Sequence, residues 1–182
     1  VPLTDRLAFR LVGYTIDDPG YIDNVTPDPL LVFPTSGVPR DNSALRERNF
    51  NDARTNGARA ALKFDLDDTW TITPAVIWQS QEANGSFAYM PDLGERKVAR
   101  YIDEYNDDRW YQAALTVEGR IGSFDLMYSG GYLDRSIDNS SDYSDYSYFY
   151  DVLYPGYFGN YFLDNAGEFI DPSMYTKNRD TF

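Results

Sequence analysis

Apolar and polar positions alternate with a period of two in several segments of the chain. In residues 107–121 the apolar positions are Tyr111, Ala113, Leu115, Val117 and Ile121, and the polar positions between them include Gln112, Thr116, Glu118 and Arg120. The same alternation recurs in residues 5–16, 51–66, 70–83 and 124–137, and a further strand begins near residue 175. Such a pattern is typical of strands with one apolar face, and no segment shows a comparable 3.6-residue stripe. We therefore predict an all-β fold with about six strands in an antiparallel meander.

The connections between these strands alternate between very short and very long. Residues 67–69 and 122–123 form hairpin-sized turns rich in turn-forming residues. Residues 17–50, 83–106 and 137–174 form long, Pro- and Gly-containing excursions of at least 24 residues each. Loops of this length are uncommon in compact domains and are usually functional. Short turns at one rim and long loops at the other are typical of outer-membrane barrels, whose long loops face outward.

The apolar face has the dimensions of a bilayer core. Trp70 and Trp78 share a face eight positions apart, which corresponds to about 26 Å along a strand or roughly 20 Å along a tilted barrel axis. The apolar band of a membrane barrel is about 25 Å tall and is bordered by aromatic residues. The predicted lipid-facing residues are Leu62, Phe64, Trp70, Ile72, Val76, Trp78, Tyr111, Leu115, Val117, Leu126 and Tyr128.

The same pattern also fits a soluble β-sandwich, in which the apolar face would be the core between two sheets. Against this alternative stand the Arg and Lys residues of the opposite face and the three long loops.

The composition excludes several classes of function but does not distinguish between a membrane barrel and a soluble sandwich. No run of about 18 apolar residues is present, so no membrane-spanning helix is expected. The net charge of −13 makes nucleic-acid binding an unfavourable hypothesis. The absence of Cys and His removes disulfides, the usual zinc sites, thiol nucleophiles and Ser-His-Asp triads. Acid pairs for glycoside hydrolysis would need a defined separation in a pocket, which the sequence does not show. We expect no enzymatic activity.

Three segments resemble a known family. PLTDRLAFRLVGYTIDDPGYIDNV at 2–25, ARTNGARAALKFDLDDTWTITPAVIWQSQ at 53–81 and MYTKNRDTF at 174–182 resemble the barrel of TonB-dependent outer-membrane receptors of the iron-complex or siderophore type. The resemblance implies a bacterial outer-membrane protein with lipid and lipopolysaccharide as neighbours. It also implies a 22-stranded barrel filled by a plug, with active uptake of a ferric siderophore or similar bulky nutrient driven by the TonB complex.

The chain departs from that family in two respects. Neither a plug nor an energy-coupling box is recognisable, and Asn178 and Asp180 occupy positions where a terminal outer-membrane strand would be apolar. We therefore expect an internal barrel fragment, not transport-competent alone, with residues 1–182 as a single partial-barrel region. Six strands leave two open edges, which require either the missing strands or identical copies as partners. The alternative function is a proteolytic fragment, extracellular once released, that assembles edge to edge into a ring, tube or filament.

The third long loop carries the candidate site residues. Its aromatic rings could stack on a substrate, although they could equally form the loop's own small core. The candidate ligand contacts are Tyr143, Tyr146, Tyr148, Tyr150, Tyr154 and Tyr157, together with Arg120 on the polar face of a strand. Asp138, Asp142 and Asp145 could bind calcium, but their spacing matches no EF-hand, and a solvated acidic loop is the simpler explanation, ahead of a loop that contacts substrate. For basic strand residues such as Arg120 and Lys63, ion pairs with neighbouring strands are the simpler expectation.

Overall fold

The computed structural model describes residues 1–32, 34, 37, 39–153 and 174–181. Its strands are β1 (Pro2–Thr4), β2 (Leu7–Asp18), β3 (Asp23–Asn24), β4 (Leu31–Val32), β5 (Pro39–Arg40), β6 (Ala53–Asp65), β7 (Thr71–Asn84), β8 (Lys97–Val98), β9 (Tyr105–Ile121), β10 (Phe124–Ser141) and β11 (Met174–Thr181). Short 3₁₀ turns cover Ser43–Leu45 and Pro91–Leu93, and one α-helix, α1, covers Ser144–Leu153. No helix in the described part of the chain is long and apolar enough to cross a membrane.

One seven-stranded antiparallel sheet dominates the fold, in the order β1-β2-β6-β7-β9-β10-β11. The predicted antiparallel meander and its long strands are therefore confirmed. Within the described residues β11 does not pair with β1 or β2, so the sheet is open and does not close into a barrel.

The register across the sheet fixes two faces. One row of directly opposed residues runs from Leu7 through Phe64, Ile72 and Val117 to Tyr128. Directly opposed residues point to the same side of the sheet, whereas consecutive residues of one strand point to opposite sides. This row therefore defines the apolar face. We call the other side, which carries residues such as Lys63 and Thr116, the polar face.

Glycines on both faces allow aromatic rings to lie flat across neighbouring strands. The Trp70 ring lies over Gly119, where a Cβ atom would overlap the indole. On the polar face the Tyr14 ring lies over Gly57, and its hydroxyl donates to Gln79 Oε1 at 2.8 Å. Each ring thus packs across a neighbouring strand at a glycine, where any larger residue would exclude the ring.

Both predicted hairpin turns are confirmed. In the first, Asp67 Oδ1 accepts hydrogen bonds from the backbone N–H groups of Thr69 at 2.7 Å and Trp70 at 2.9 Å. In the second, Gly122 has φ +62°, a conformation that glycine adopts without strain. The short connections thus all lie at one end of the sheet.

The long connections fold together at the other end. The described residues of 19–52, together with residues 85–104 and 142–153, form what we call the loop cap, which contains the parallel pair β3–β8 and the pair β4–β5. The buried hydrophobic cluster of the described residues lies here: Ile22, Phe50 and Val98, with Met90 packed against them. The hydrophobic core of the described chain is therefore in the cap and not under the sheet.

Two features of the third connection differ from the sequence prediction of a loop over 137–174. Strand β10 continues to Ser141, and α1 follows at Ser144. Tyr146, Phe149 and Leu153 have helical i, i+3, i+7 spacing, but the Ser- and Asp-rich composition masks that signal. The carboxylate of Asp142 accepts the Ser144 N–H at 2.7 Å just ahead of the helix, which favours a helix start there.

Candidate functional site

The apolar face of the sheet carries all eleven predicted lipid-facing residues. Its side chains lie in the open: Leu62, Phe64, Val76 and Trp78 are each between 43 and 45% exposed, and Tyr128 is 57% exposed. Their placement on one face follows from the register. Contact with lipid stays a prediction, whereas the presence of a wide, uncovered apolar surface is a property of the described structure.

Aromatic residues mark the cap-side border of this surface. Trp78 lies directly opposite Tyr111, whose ring centroid is 5.9 Å from that of Tyr132. Closer to the cap the same face becomes charged: Arg109, two residues beyond Tyr111, lies 4.0 Å from Glu82, four residues beyond Trp78. The apolar surface therefore ends sharply at an aromatic row.

The polar face is joined by ion pairs between adjacent strands. Arg135 donates to both carboxylate oxygens of Asp108, at 2.9 and 2.6 Å, and Asp108 is buried. Arg120 pairs with its cross-strand neighbour Asp125 at 2.8 Å, as predicted for the basic residues of this face. Lys63 instead pairs with Asp65 of its own strand at 3.4 Å.

Buried asparagines hold the loop cap together. Asn51 Oδ1 accepts the backbone N–H groups of Tyr21 at 2.8 Å and Ile22 at 2.7 Å. Asn24 Oδ1 accepts the N–H of Arg100 at 2.8 Å, and its Nδ2 donates to the Leu45 carbonyl at 2.8 Å. The Arg100 carbonyl accepts hydrogen bonds from the side-chain amides of both Asn24, at 3.2 Å, and a third asparagine, Asn42, at 3.0 Å. These side chains replace the sheet hydrogen bonds that irregular loops lack.

A buried charge cluster joins the second and third connections. Arg100 lies 2.7 Å from Asp145 Oδ2 and 3.2 Å from Glu104 Oε2. Glu104 Oε1 accepts the N–H of Asp142, whose own carboxylate accepts the N–H of Tyr101 at 2.6 Å. Burial raises the pKa of Glu104, an effect that exceeds the opposing attraction of Arg100. The cluster therefore fixes α1 to the second connection, which carries Arg100 and Glu104.

A cavity of about 480 Å³ opens beside this cluster. All three long connections contribute to its walls, which are mostly apolar. The lining residues are Pro27, Pro29, Leu31, Met90, Asp92, Leu93, Ala99, Tyr101, Asp145 and Tyr148. The cap therefore contains a pocket of the size that small organic ligands occupy.

The predicted ligand contacts are only partly brought together. Tyr148 lines the cavity, and the rings of Tyr143 and Tyr146 pack edge to face with centroids 6.1 Å apart on α1 and just before it. The side chain of Tyr150 and all of Tyr154 and Tyr157 lie outside the described residues. Arg120 lies at the other end of β9, about 50 Å from Tyr105 at roughly 3.3 Å per residue, so it is remote from the tyrosines.

The three predicted calcium ligands are engaged separately. Asp142 accepts backbone N–H groups, Asp145 pairs with Arg100, and Asp138 Oδ1 lies 3.5 Å from the Tyr105 hydroxyl. In the described part of the chain, no three His, Cys, Asp or Glu residues are grouped as a metal site would require.

The sequence pattern did not single out Asn24, Asn51, Arg100, Tyr101 or Glu104 as site residues. Each lies in a long connection with no periodicity, and its partners are distant in sequence, for example 76 residues between Asn24 and Arg100. The single signal available was the density of Asn and Asp in these loops, which marks local side-chain to backbone bonding.

No protein-family model, curated protein or solved structure matches this chain.

Proposed function

We propose that this chain forms part of the wall of a TonB-dependent outer-membrane receptor that imports a ferric siderophore or a similarly bulky nutrient. The observation that supports it best is the uncovered apolar face, which extends over strands from β2 to β10. Soluble monomers rarely expose contiguous apolar patches larger than a few hundred Å². Lipid is the partner that covers such a face in an outer-membrane protein.

The height of the face supports a bilayer as its partner. Trp70 and Trp78 bracket it at a separation of about 26 Å along the strand, and the Arg109–Glu82 pair lies immediately beyond the upper border. An apolar band about 25 Å tall between aromatic borders is the expected dimension. The strands continue beyond the band, and β10 is 18 residues long.

The distribution of connections supports the orientation. The loop cap would face outward, with its tyrosines available to a substrate, and the two short turns would face the periplasm. Energy coupling through TonB would require a plug, which we propose to be supplied by sequence outside these 182 residues.

Cysteine labelling in cells tests the membrane position of the sheet. The chain contains no cysteine, so single cysteines can be compared without background. Leu62→Cys and Leu115→Cys place thiols on the apolar face, and Lys63→Cys and Thr116→Cys are matched neighbours on the polar face. In outer-membrane preparations in which both membrane surfaces are accessible to reagent, a water-soluble maleimide should label the polar-face pair at least tenfold faster than the apolar-face pair. All four thiols should label equally after urea denaturation, which removes the two faces. Equal labelling of both pairs in the membrane would contradict lipid coverage, and recovery of the chain in the soluble fraction would favour a sandwich.

The transport part of the proposal has its own test. A strain lacking the protein should lose growth on one ferric siderophore as sole iron source and regain it with the intact gene. Normal growth of the deletion strain on every iron source and bulky nutrient tested, once cysteine labelling of the intact protein has shown the sheet in the membrane, would reject the transport role alone.

A second candidate function is edge-to-edge assembly of identical copies, favoured by the open edges of the sheet. Residues 10–18 of β2 have no strand on their outer side among the described residues, and the outer side of residues 124–133 of β10 is likewise open. β2 and β11 run in opposite directions, so β2 of one copy could continue the antiparallel sheet beside β11 of another. Electron micrographs of the isolated chain should then show rings or tubes, whereas a barrel closed by one continuous polypeptide would refute this candidate.

A further inference from the structure

The loop-cap cavity is built from three separate connections. Its lining residues are held in place by hydrogen bonds to residues that do not line it. Pro27, Leu31 and Met90 come from the first two connections, and Asp145 and Tyr148 come from α1. Because the walls converge from distant parts of the sequence, the cavity exists only when the cap is folded.

Specific hydrogen bonds fix these walls. The Tyr101 N–H donates to Asp142 at 2.6 Å, and Asp145 is held by Arg100 at 2.7 Å. Met90 is anchored by its own N–H, which donates to the Lys97 carbonyl at 2.8 Å. A preformed apolar cavity binds ligands without the cost of ordering its walls.

The charges that face the cavity are negative. Its lining contains the carboxylates of Asp92 and Asp145 and, among the described residues, no Lys or Arg. Arg100, just outside, is already engaged by Asp145 and by Glu104. Asp92 lies exposed at the rim, where no described residue forms an ion pair or hydrogen bond with it. A cationic group at this rim would meet an available carboxylate.

The ring of Tyr101 forms part of the wall, close to the carboxylates of Asp145 and Asp142. Burial, with the nearby charges of Asp145 and Asp142, raises the pKa of Tyr101 to about 12, although Arg40 opposes the shift. The hydroxyl therefore stays protonated at any physiological pH.

We propose that this cavity binds a small organic amine, with an aromatic or aliphatic body against Leu31, Met90 and Leu93 and its ammonium group near Asp92. The volume of about 480 Å³ suits a single ring with a short side chain and is small for a ferric siderophore. The site does not require the sheet to lie in a membrane, so it goes beyond the receptor proposal.

Three probes that share a phenyl ring on a two-carbon chain and differ in the charge of the terminal group test the site: 2-phenylethylamine, 2-phenylethanol and 3-phenylpropionate. Saturation-transfer NMR and titration calorimetry on the full folded chain should show saturable binding of the amine, at least tenfold tighter than the alcohol, and no binding of the acid at the same concentration. Equal binding of all three, or no saturable binding of the amine, would overturn the proposal.

Two variants and a control locate the binding. Leu93→Trp, which fills the cavity, should abolish amine binding, and Asp92→Asn should weaken the amine at least fivefold while leaving the alcohol unchanged. Leu66→Trp, exposed at the short-turn end of the sheet, should leave binding unchanged. Slow hydrogen exchange of the Val25 amide, which donates to the Val98 carbonyl in the cap, would show that the cap of each variant is folded. Unaltered amine binding by Leu93→Trp with a folded cap would refute the site, whatever the outcome of the membrane experiments.

Discussion

Removing the side chain of Asn24 should unfold the loop cap while leaving the sheet intact. Asn24 is 2% exposed and joins the first connection to the second. In Asn24→Ala the Arg100 N–H loses its 2.8 Å acceptor and the Leu45 carbonyl loses its 2.8 Å donor. The Arg100 carbonyl keeps a partner, because Asn42 also donates to it. One buried and one partly buried backbone group are therefore left without partners.

The size of the effect follows from those two groups. An unsatisfied buried backbone group costs about 1–3 kcal/mol, so Asn24→Ala should destabilise the cap by about 2–6 kcal/mol. At about 1.4 kcal/mol per factor of ten, the smaller figure corresponds to roughly a 30-fold increase in the population of the open cap. The small core of Ile22, Phe50 and Val98 has little reserve to offset this loss.

Native-state hydrogen exchange measures the change directly. The Val25 amide, which donates to the Val98 carbonyl at 2.8 Å, should exchange at least about 30-fold faster in Asn24→Ala. Asn84→Ala is the matched control, because the Asn84 side chain bonds to Asp52 at an exposed position and its loss should change exchange by less than about threefold. The reasoning would be refuted if both variants accelerated the Val25 amide equally.

Two other changes have expected outcomes of defined sign. Gly57→Ala should displace the Tyr14 ring and break its hydrogen bond to Gln79, which lowers the stability of the sheet by about 1 kcal/mol. In Gly13→Ala the added Cβ meets no atom closer than 4.0 Å, so this variant should stabilise the sheet by about 0.5 kcal/mol. Thermal or urea unfolding in which both variants change stability with the same sign would contradict this. Burial raises the pKa of Glu104 above its ordinary value of 4.5, so the folded cap binds this proton more tightly than the unfolded cap does. The stability that this proton contributes is fully present below pH 4.5 and is lost as the pH rises through the pKa of the folded state. Hydrogen exchange of cap amides, corrected for intrinsic rates, should therefore accelerate over this pH range. This pH dependence should be absent from Glu104→Gln. An unchanged pH dependence in the variant would show that another group is responsible.

The sequence by itself determined the sheet. A period of two over 12 to 18 residues can satisfy one-sided burial only as a strand, and an odd shift of register would move every apolar side chain to the wrong face. Turn chemistry at Asp67 and Gly122 then fixed which strands are neighbours. For these reasons the antiparallel meander and the common face of Leu62, Ile72 and Leu115 could be read in advance.

Only the tertiary structure decided the loop cap. Its contacts join residues far apart in sequence, such as Asn24 with Arg100 and Arg100 with Asp145, and such pairings leave no periodic trace. The helix α1 was hidden for a related reason, because its Ser- and Asp-rich sequence favours loops and the Arg100–Asp145 ion pair that holds it comes from another connection. The pocket beside Tyr101 exists only where three connections converge. The period-two pattern therefore predicted the sheet, whereas three-dimensional packing created the candidate site.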